Sequence, residues 1–302
     1  MASFNINPNT TLGAYQIGVL VSYVLFGVTT AQTYIYYGRF PHDSPKFKAL
    51  VAFVWVCEVA HALCIGHTLY LYTVSDYVHP ERLGHAVPKS LPAAILFSGI
   101  IAGSVQGFFS FRIYAFSKKL WIPLLIWAMA FLRVLACTVL FSGALGIKFW
   151  ARYEEQWEWL FMAKWAISSV NDLTITVTML FLLSKQRNNV HTRTAALMDK
   201  LITWTIETGM VTSATGIVML ACFFTMKNNF IWLAFFAISA RLFSNSLLAS
   251  LNSRATLRAM NEFTLPSLAP AIGPNIQITK VTRIDDGGTY YDPDNDAGLE
   301  NV

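Results

Sequence analysis

Long apolar runs, each closed by a short polar or charged stretch, fill the chain from residue 11 to residue 250. The first, Thr11 to Tyr37, carries no charged residue and is closed by Arg39, Pro41, His42 and Asp43. Six more follow over residues 47–74, 92–114, 120–143, 159–183, 201–226 and 230–250. A helix needs about 20 mostly apolar residues to cross a bilayer, and every run meets that length. The pattern predicts an all-α membrane protein, a bundle of seven transmembrane helices over 11–250. Its tightest connections fall at Ser117 to Lys119 and at Lys227 to Asn229, where two helices must meet in a hairpin with few polar residues between them. Six or eight spans are the alternatives there.

Composition and charge sharpen that picture. Of 302 residues, 55% are hydrophobic and 13% charged, whereas soluble domains keep about 25% charged to cover their surface. No basic stretch and small-residue cleavage site precede the first run, which is expected to stay as an uncleaved anchor. Twelve Lys and Arg, among them Arg39, Lys46, Arg112, Lys185 and Arg254, fall on one side of the expected bundle and five on the other. The positive-inside rule then places the N-terminus outside and the C-terminus in the cytosol. The net charge of +5 marks loops beside anionic lipid and excludes a nucleic-acid partner. Tyr34, Tyr36, Tyr37, Tyr70, Tyr72, Trp150, Tyr153, Trp157 and Trp159 gather at the borders of the runs, as interfacial aromatics do.

Outside the bundle, residues 1–10 form a short outer segment. The only glycosylation sequon, Asn9-Thr10-Thr11, abuts the membrane there and is expected to be poorly accessible. Residues 251–265 read as a juxtamembrane helix or a linker, with Arg254 and Arg258 four apart. Residues 266–302 turn to Pro, Gly, Asn and Asp and end in Asp292, Asp294, Asp296 and Glu300. Such a segment buries too little apolar surface to fold alone and is expected to be a disordered cytosolic tail, open to a cytosolic partner.

The informative residues are ionisable groups at membrane depth, each costing roughly 2.5–3.5 kcal/mol on insertion scales unless it meets a partner or water. Glu58, Arg133, Asp172 and Arg241 lie near the middle of the second, fourth, fifth and seventh runs, while Lys164 and Glu207 lie nearer the ends of theirs. Two acids balance two bases, so these helices are expected to face one another around a polar, hydrated centre. Which acid pairs with which base is not readable from spacing. Cys57, His61 and Cys64 share one face of the second run, with Glu58 and His67 at its flanks, where a Glu58–His61 hydrogen bond is the ordinary reading. Cys and His at that spacing match no established zinc motif, and no metal or cofactor is expected. All four cysteines lie inside runs and read as free thiols, without the outer disulfide of many seven-helix receptors.

Lys164, Ser168, Asn171 and Asp172 share a face of the fifth run, followed by Thr174, Thr176 and Thr178. That face reads either as interhelical hydrogen bonding or as the lining of a ligand or ion pocket, with Glu58, His61, Arg133 and Arg241 as its other candidate members. Gly99, Gly103 and Gly107 at intervals of four give the third run a small-residue face for close helix packing, or for a dimer contact.

Thr208-Gly209 in the sixth run and Asn245-Ser246-Leu247-Leu248-Ala249-Ser250-Leu251-Asn252-Ser253-Arg254 closing the seventh give the chain a recognisable character. It resembles an integral membrane family widespread in basidiomycete fungi and catalogued as a domain of unknown function. The resemblance runs over residues 11–254, including Gly13 to Gly27, Pro45 to Leu50 and Asp172 to Leu183. It implies several helices, a fungal source and a variable polar tail, and it brings no activity or catalytic residue.

Two function classes fit. A receptor-like sensor matches seven spans, an outer N-terminus and a polar mid-membrane pocket for a small-molecule ligand. It lacks two known receptor signatures: the third run ends Phe111-Arg112-Ile113-Tyr114, without an acidic residue before the arginine, and the seventh has no Asn-Pro pair. A retinal pigment is disfavoured, because the seventh run offers Arg241 and no lysine for a Schiff base. A secondary transporter or channel would use Glu58, Asp172 and Arg241 along a solute path, but the halves show no convincing repeat. No nucleophile–base pair or phosphate loop suggests an enzyme. Spacing does not distinguish plasma membrane from endomembrane.

Overall fold

The computed structural model describes residues 9–75, 88–146, 150–187, 192–226 and 229–263. Seven helices among them are long and apolar enough to cross a membrane, the architecture of a multi-pass membrane protein. They are α1 (Ala14–Arg39), α2 (Pro45–Tyr70), α3 (Ser90–Ser117), α4 (Trp121–Gly146), α5 (Trp150–Arg187), α6 (Thr192–Thr225) and α7 (Ile231–Phe263). A π-helical turn, Asn9–Gly13, leads into α1, and another, Leu71–Ser75, prolongs α2. Residues 1–8 and 264–302 lie outside the described residues, and with them most of the outer segment and all of the tail. α7 runs unbroken through most of the 251–265 segment.

Local chemistry sets several boundaries. Pro45 opens α2, where its missing N–H is one that the first turn leaves unpaired anyway. The hairpin expected at Ser117 to Lys119 turns on Lys118, whose backbone is left-handed at φ 55° and whose N–H still reaches Tyr114 O at 2.9 Å. At the sequon, Thr11 is buried, and Thr10 Oγ1 donates to Asn229 Oδ1 at 3.1 Å.

α7 is the central helix, with 67% of its apolar span buried, and α6 the most peripheral, with 17%. The end of the bundle where α1 and α7 begin is packed with aromatic rings. Phe161 and Trp165 of α5, Phe223 of α6 and Trp232 of α7 stand 5.0–6.4 Å apart between centroids. Tyr72 stacks on Phe230 and meets Tyr15 edge-on beside them. This plug belongs to one apolar core; a second, with Tyr36, Val51, Ile101, Leu247 and Leu251, and a third, with Ile113, Ile126, Ile175, Met179 and Leu183, lie toward the other end.

Small residues set the closest helix approaches. A Cβ on Gly99 would stand 2.6 Å from Cys137 Sγ, and one on Gly103 2.6 Å from Val134 Cγ2, so the glycine face of α3 seats α4. A Cβ on Gly18 would stand 2.5 Å from the Cα of Ala234, whereas one on Gly27 meets nothing within 4 Å. Backbone cannot swing aside as a side chain can. Gly18→Ala should therefore lower stability by about 1–3 kcal/mol, while Gly27→Ala should be neutral or gain up to about 1 kcal/mol. Thermal unfolding of the two variants in the same detergent tests the contrast.

Candidate functional site

The mid-depth charges form two nests rather than one shared centre. In the first, Arg241 of α7 forms a fully buried ion pair with the Glu58 carboxylate of α2. The same guanidinium donates from Nη1 to Glu58 O at 3.0 Å and from Nε to Ser22 Oγ of α1 at 3.0 Å, and it lies 5.0 Å from the centre of the Phe26 ring. Ser244 Oγ donates to Glu58 Oε1 at 2.5 Å. Both charges are thus compensated where hydrocarbon would otherwise exclude them. The expected Glu58–His61 hydrogen bond does not form, because Arg241 and Ser244 take the carboxylate. His61 is buried edge-on against Phe236, centroids 5.9 Å apart, and neither ring nitrogen meets a partner among the described residues.

The second nest joins α3, α4 and α5. Gln106 Nε2 donates to Asp172 Oδ1 at 2.8 Å. Arg133 Nη1 donates to Ser168 Oγ, and its guanidinium lies 4.8 Å from the centre of the Phe243 ring. Asn171 Nδ2 reaches Ile126 O at 3.4 Å. Arg133 and Asp172 make no ion pair within 4 Å among the described residues, so the second acid and the second base stand close without closing on each other. Lys164, also buried, has its Nζ 4.8 Å from the ring centre of Trp165, 5.2 Å from that of Phe161 and 5.9 Å from that of Phe236, and it feels the charge of Arg133 in the second nest.

Beside Asp172 is a cavity of about 40 Å³ between α3, α5, α6 and α7. At its edge Gly209 lets α6 approach α5 closely, since a Cβ there would stand 2.1 Å from Thr176 Oγ1. A larger groove of about 370 Å³ opens between α1, α6 and α7, lined by Gln32, Ile35, Arg39, Trp204, Glu207 and Asn252 among others. Thr208 lines both spaces. Gln106, Thr208 and Ser244 carry no charge and do not stand out among polar residues in the sequence, though Thr208 belongs to the Thr208-Gly209 pair that carries the resemblance.

The α7 motif stitches the bundle together. Asn245 Nδ2 donates to Leu25 O at 3.2 Å and Asn252 Nδ2 to Gln32 O at 2.9 Å, both on α1. Ser250 Oγ accepts from Arg112 Nη1 of α3 at 2.6 Å. Arg254 forks onto Asp43, Nη2 to Oδ2 at 2.5 Å and Nη1 to Oδ1 at 3.5 Å, above the rings of Phe40 and Phe47. Tyr36 Oη donates to Asp43 Oδ2 at 2.8 Å.

Residues 168–256 match a family of unknown function (DUF6534). The match is narrower than the 11–254 stretch of the resemblance, and it takes in α5 from Ser168, all of α6 and the α7 motif. No curated protein and no solved structure matches the chain. Among the described residues no cluster of three His, Cys, Asp or Glu could hold a metal ion.

Two outcomes follow from the ion pairs. Removing one member of the Glu58–Arg241 pair strands the other in the core, so Glu58→Gln or Arg241→Met should cost about 3–5 kcal/mol. The double variant Glu58→Leu with Arg241→Leu should recover part of that loss, read as unfolding midpoints of all four proteins. Outside the membrane span, the Arg254 fork holds the Asp43 carboxyl below its ordinary value of 3.8, with help from the Tyr36 hydroxyl and the Ser44 N–H. A depressed folded value means the pair stabilises above pH 3.8 and is lost as pH falls through the lower folded value. The pair is partly exposed, so this contribution is about 1 kcal/mol. Asp43→Asn should remove it at pH 7 and flatten the acid limb of the stability curve.

Proposed function

We propose that the protein is a receptor-like membrane sensor whose groove between α1, α6 and α7 takes a small amphiphilic ligand. Occupancy is reported through α6 to the buried cavity at Asp172. The observation that carries this reading is Thr208, which lines the groove and the cavity alike. The groove's volume falls in the range of about 300–1,000 Å³ typical of ligand sites. Ile35, Trp204 and Ala249 offer an apolar wall and Arg39, Glu207 and Asn252 a polar one, a lining suited to an amphiphile. α6, the least enclosed helix, is the element freest to shift. The distribution of Lys and Arg supports an outer N-terminus and a cytosolic C-terminus, which puts the groove at the cytosolic end. A fungal source, implied by the resemblance, belongs to the same proposal.

Transport is the second reading, favoured by the contrast between an aromatic plug at one end and a groove toward the other, with a carboxylate between them. One experiment separates the two. Purified protein in nanodiscs is melted against long-chain alcohols, fatty acids and lipophilic amines. The sensor reading expects a probe that stabilises the wild type, weakens at least about 10-fold in Trp204→Ala, and also shifts about 5-fold in Asp172→Asn, outside the groove. Silence toward every probe, together with solute or proton uptake into proteoliposomes that Asp172→Asn abolishes, would make the protein a transporter instead.

A further inference from the structure

The cavity beside Asp172 has walls of one hydrogen-bonding sense. Thr176 Oγ1 donates to Asp172 O at 2.8 Å, Thr208 Oγ1 to Trp204 O at 2.8 Å, Thr212 Oγ1 to Thr208 O at 3.1 Å, and Ser246 Oγ to Phe243 O at 2.8 Å. A hydroxyl has one proton, and each of these is committed within its own helix, so lone pairs are what remain for the cavity. Gln106 gives Nε2 to the Asp172 carboxylate, while its buried Oε1 has no partner among the described residues. No cationic side chain lines the space. Arg133 acts on Asp172 only through space, with its guanidinium engaged by Ser168 and Phe243. A carboxylate and several oxygen acceptors therefore line one part of a partly open volume of about 40 Å³, with Val105, Phe109, Ile175 and Phe243 forming the rest of its wall. That is room for a few bodies the size of water and too little for an organic ammonium.

We infer that this cavity is a binding site for a monovalent cation, with Asp172 as its charged ligand. Gln106 Oε1 and the hydroxyls of Thr176, Thr208, Thr212 and Ser246 supply neutral oxygens. Hard cations take such oxygen ligands. One carboxylate, already in the field of Arg133, can hold no more than a single further positive charge, which selects a monovalent ion over a divalent one, and the small volume favours sodium over potassium. A bound ion would tie α3, α5, α6 and α7 together at mid-depth, where the protein supplies Asp172 with no direct counter-charge. The site rests on its own lining and holds whether the protein senses or transports.

The test uses the purified full chain in nanodiscs, melted at equal ionic strength in the chlorides of sodium, potassium and N-methyl-D-glucamine. Sodium should raise the melting temperature saturably by about 5 °C, potassium less, and the organic cation not at all. Asp172→Asn should abolish the response and the saturable binding of radioactive sodium to the folded protein. Thr212→Val keeps the carboxylate and, measured against its own melting in N-methyl-D-glucamine, should weaken the sodium midpoint about 5-fold. Identical melting in all three salts, an equal rise in all three, or no sodium binding by folded wild type would overturn the site. Stabilisation by lower pH without any response to sodium would overturn it too, leaving a proton as the carboxylate's neutralising partner.

Discussion

The ion pair between Glu58 and Arg241 is the constraint around which the bundle is arranged. Neither charge is tolerated alone at mid-depth, so α2 and α7 must meet at that level and in that rotation. The arginine does more than neutralise. Its Nε bond to Ser22 and its stacking on Phe26 bring in α1, and Ser244 places a second α7 group on the same carboxylate. With α7 fixed in rotation, Asn245, Ser250, Asn252 and Arg254 fall in register to meet α1, α3 and the Asp43 turn. The enclosure of α7 follows from this, since a helix bound on several sides by polar stitches cannot lie at the edge.

α6 shows the reverse. Its close approach is to α5, through Gly209 at Thr176 and Gly216 at Ser169, and small-residue contacts of this kind rest on van der Waals packing more than on directed bonds. Thr208, Thr212 and Thr215 satisfy their hydroxyls within the helix itself. A helix that draws few of its hydrogen bonds from neighbours can shift without breaking them. The cavity and the groove both border it, so the helix with the least enclosed apolar span walls both.

Much of this was legible in the residues. The length and spacing of the apolar runs predict seven helices, and the glycines of α3 predict a close helix neighbour without saying that it is α4. The four mid-depth charges announce polar contacts, yet spacing along one helix carries no information about the rotation of another. Hence a Glu58–His61 bond was a natural expectation and an Arg241–Glu58 pair was not deducible. Gln106, Ser22 and Ser244 were missed for a related reason. A neutral polar residue inside a span can satisfy its proton on its own backbone, so its sequence gives no sign that it serves a partner instead.

The segment that matches the family, residues 168–256, holds Asp172, Arg241 and Arg254, but it does not hold the groups that pair with their charges. Glu58 and Ser22 lie on α2 and α1, Gln106 on α3, and Asp43 in the turn between α1 and α2. Without those elements Arg241 and Asp172 would be charges in hydrocarbon with no partner, several kcal/mol each in the wrong direction. The matched segment therefore lacks the partners of its own buried charges. It carries two of the four mid-depth charges, Asp172 and Arg241, and these meet donors and acceptors from the first three helices at matching depths.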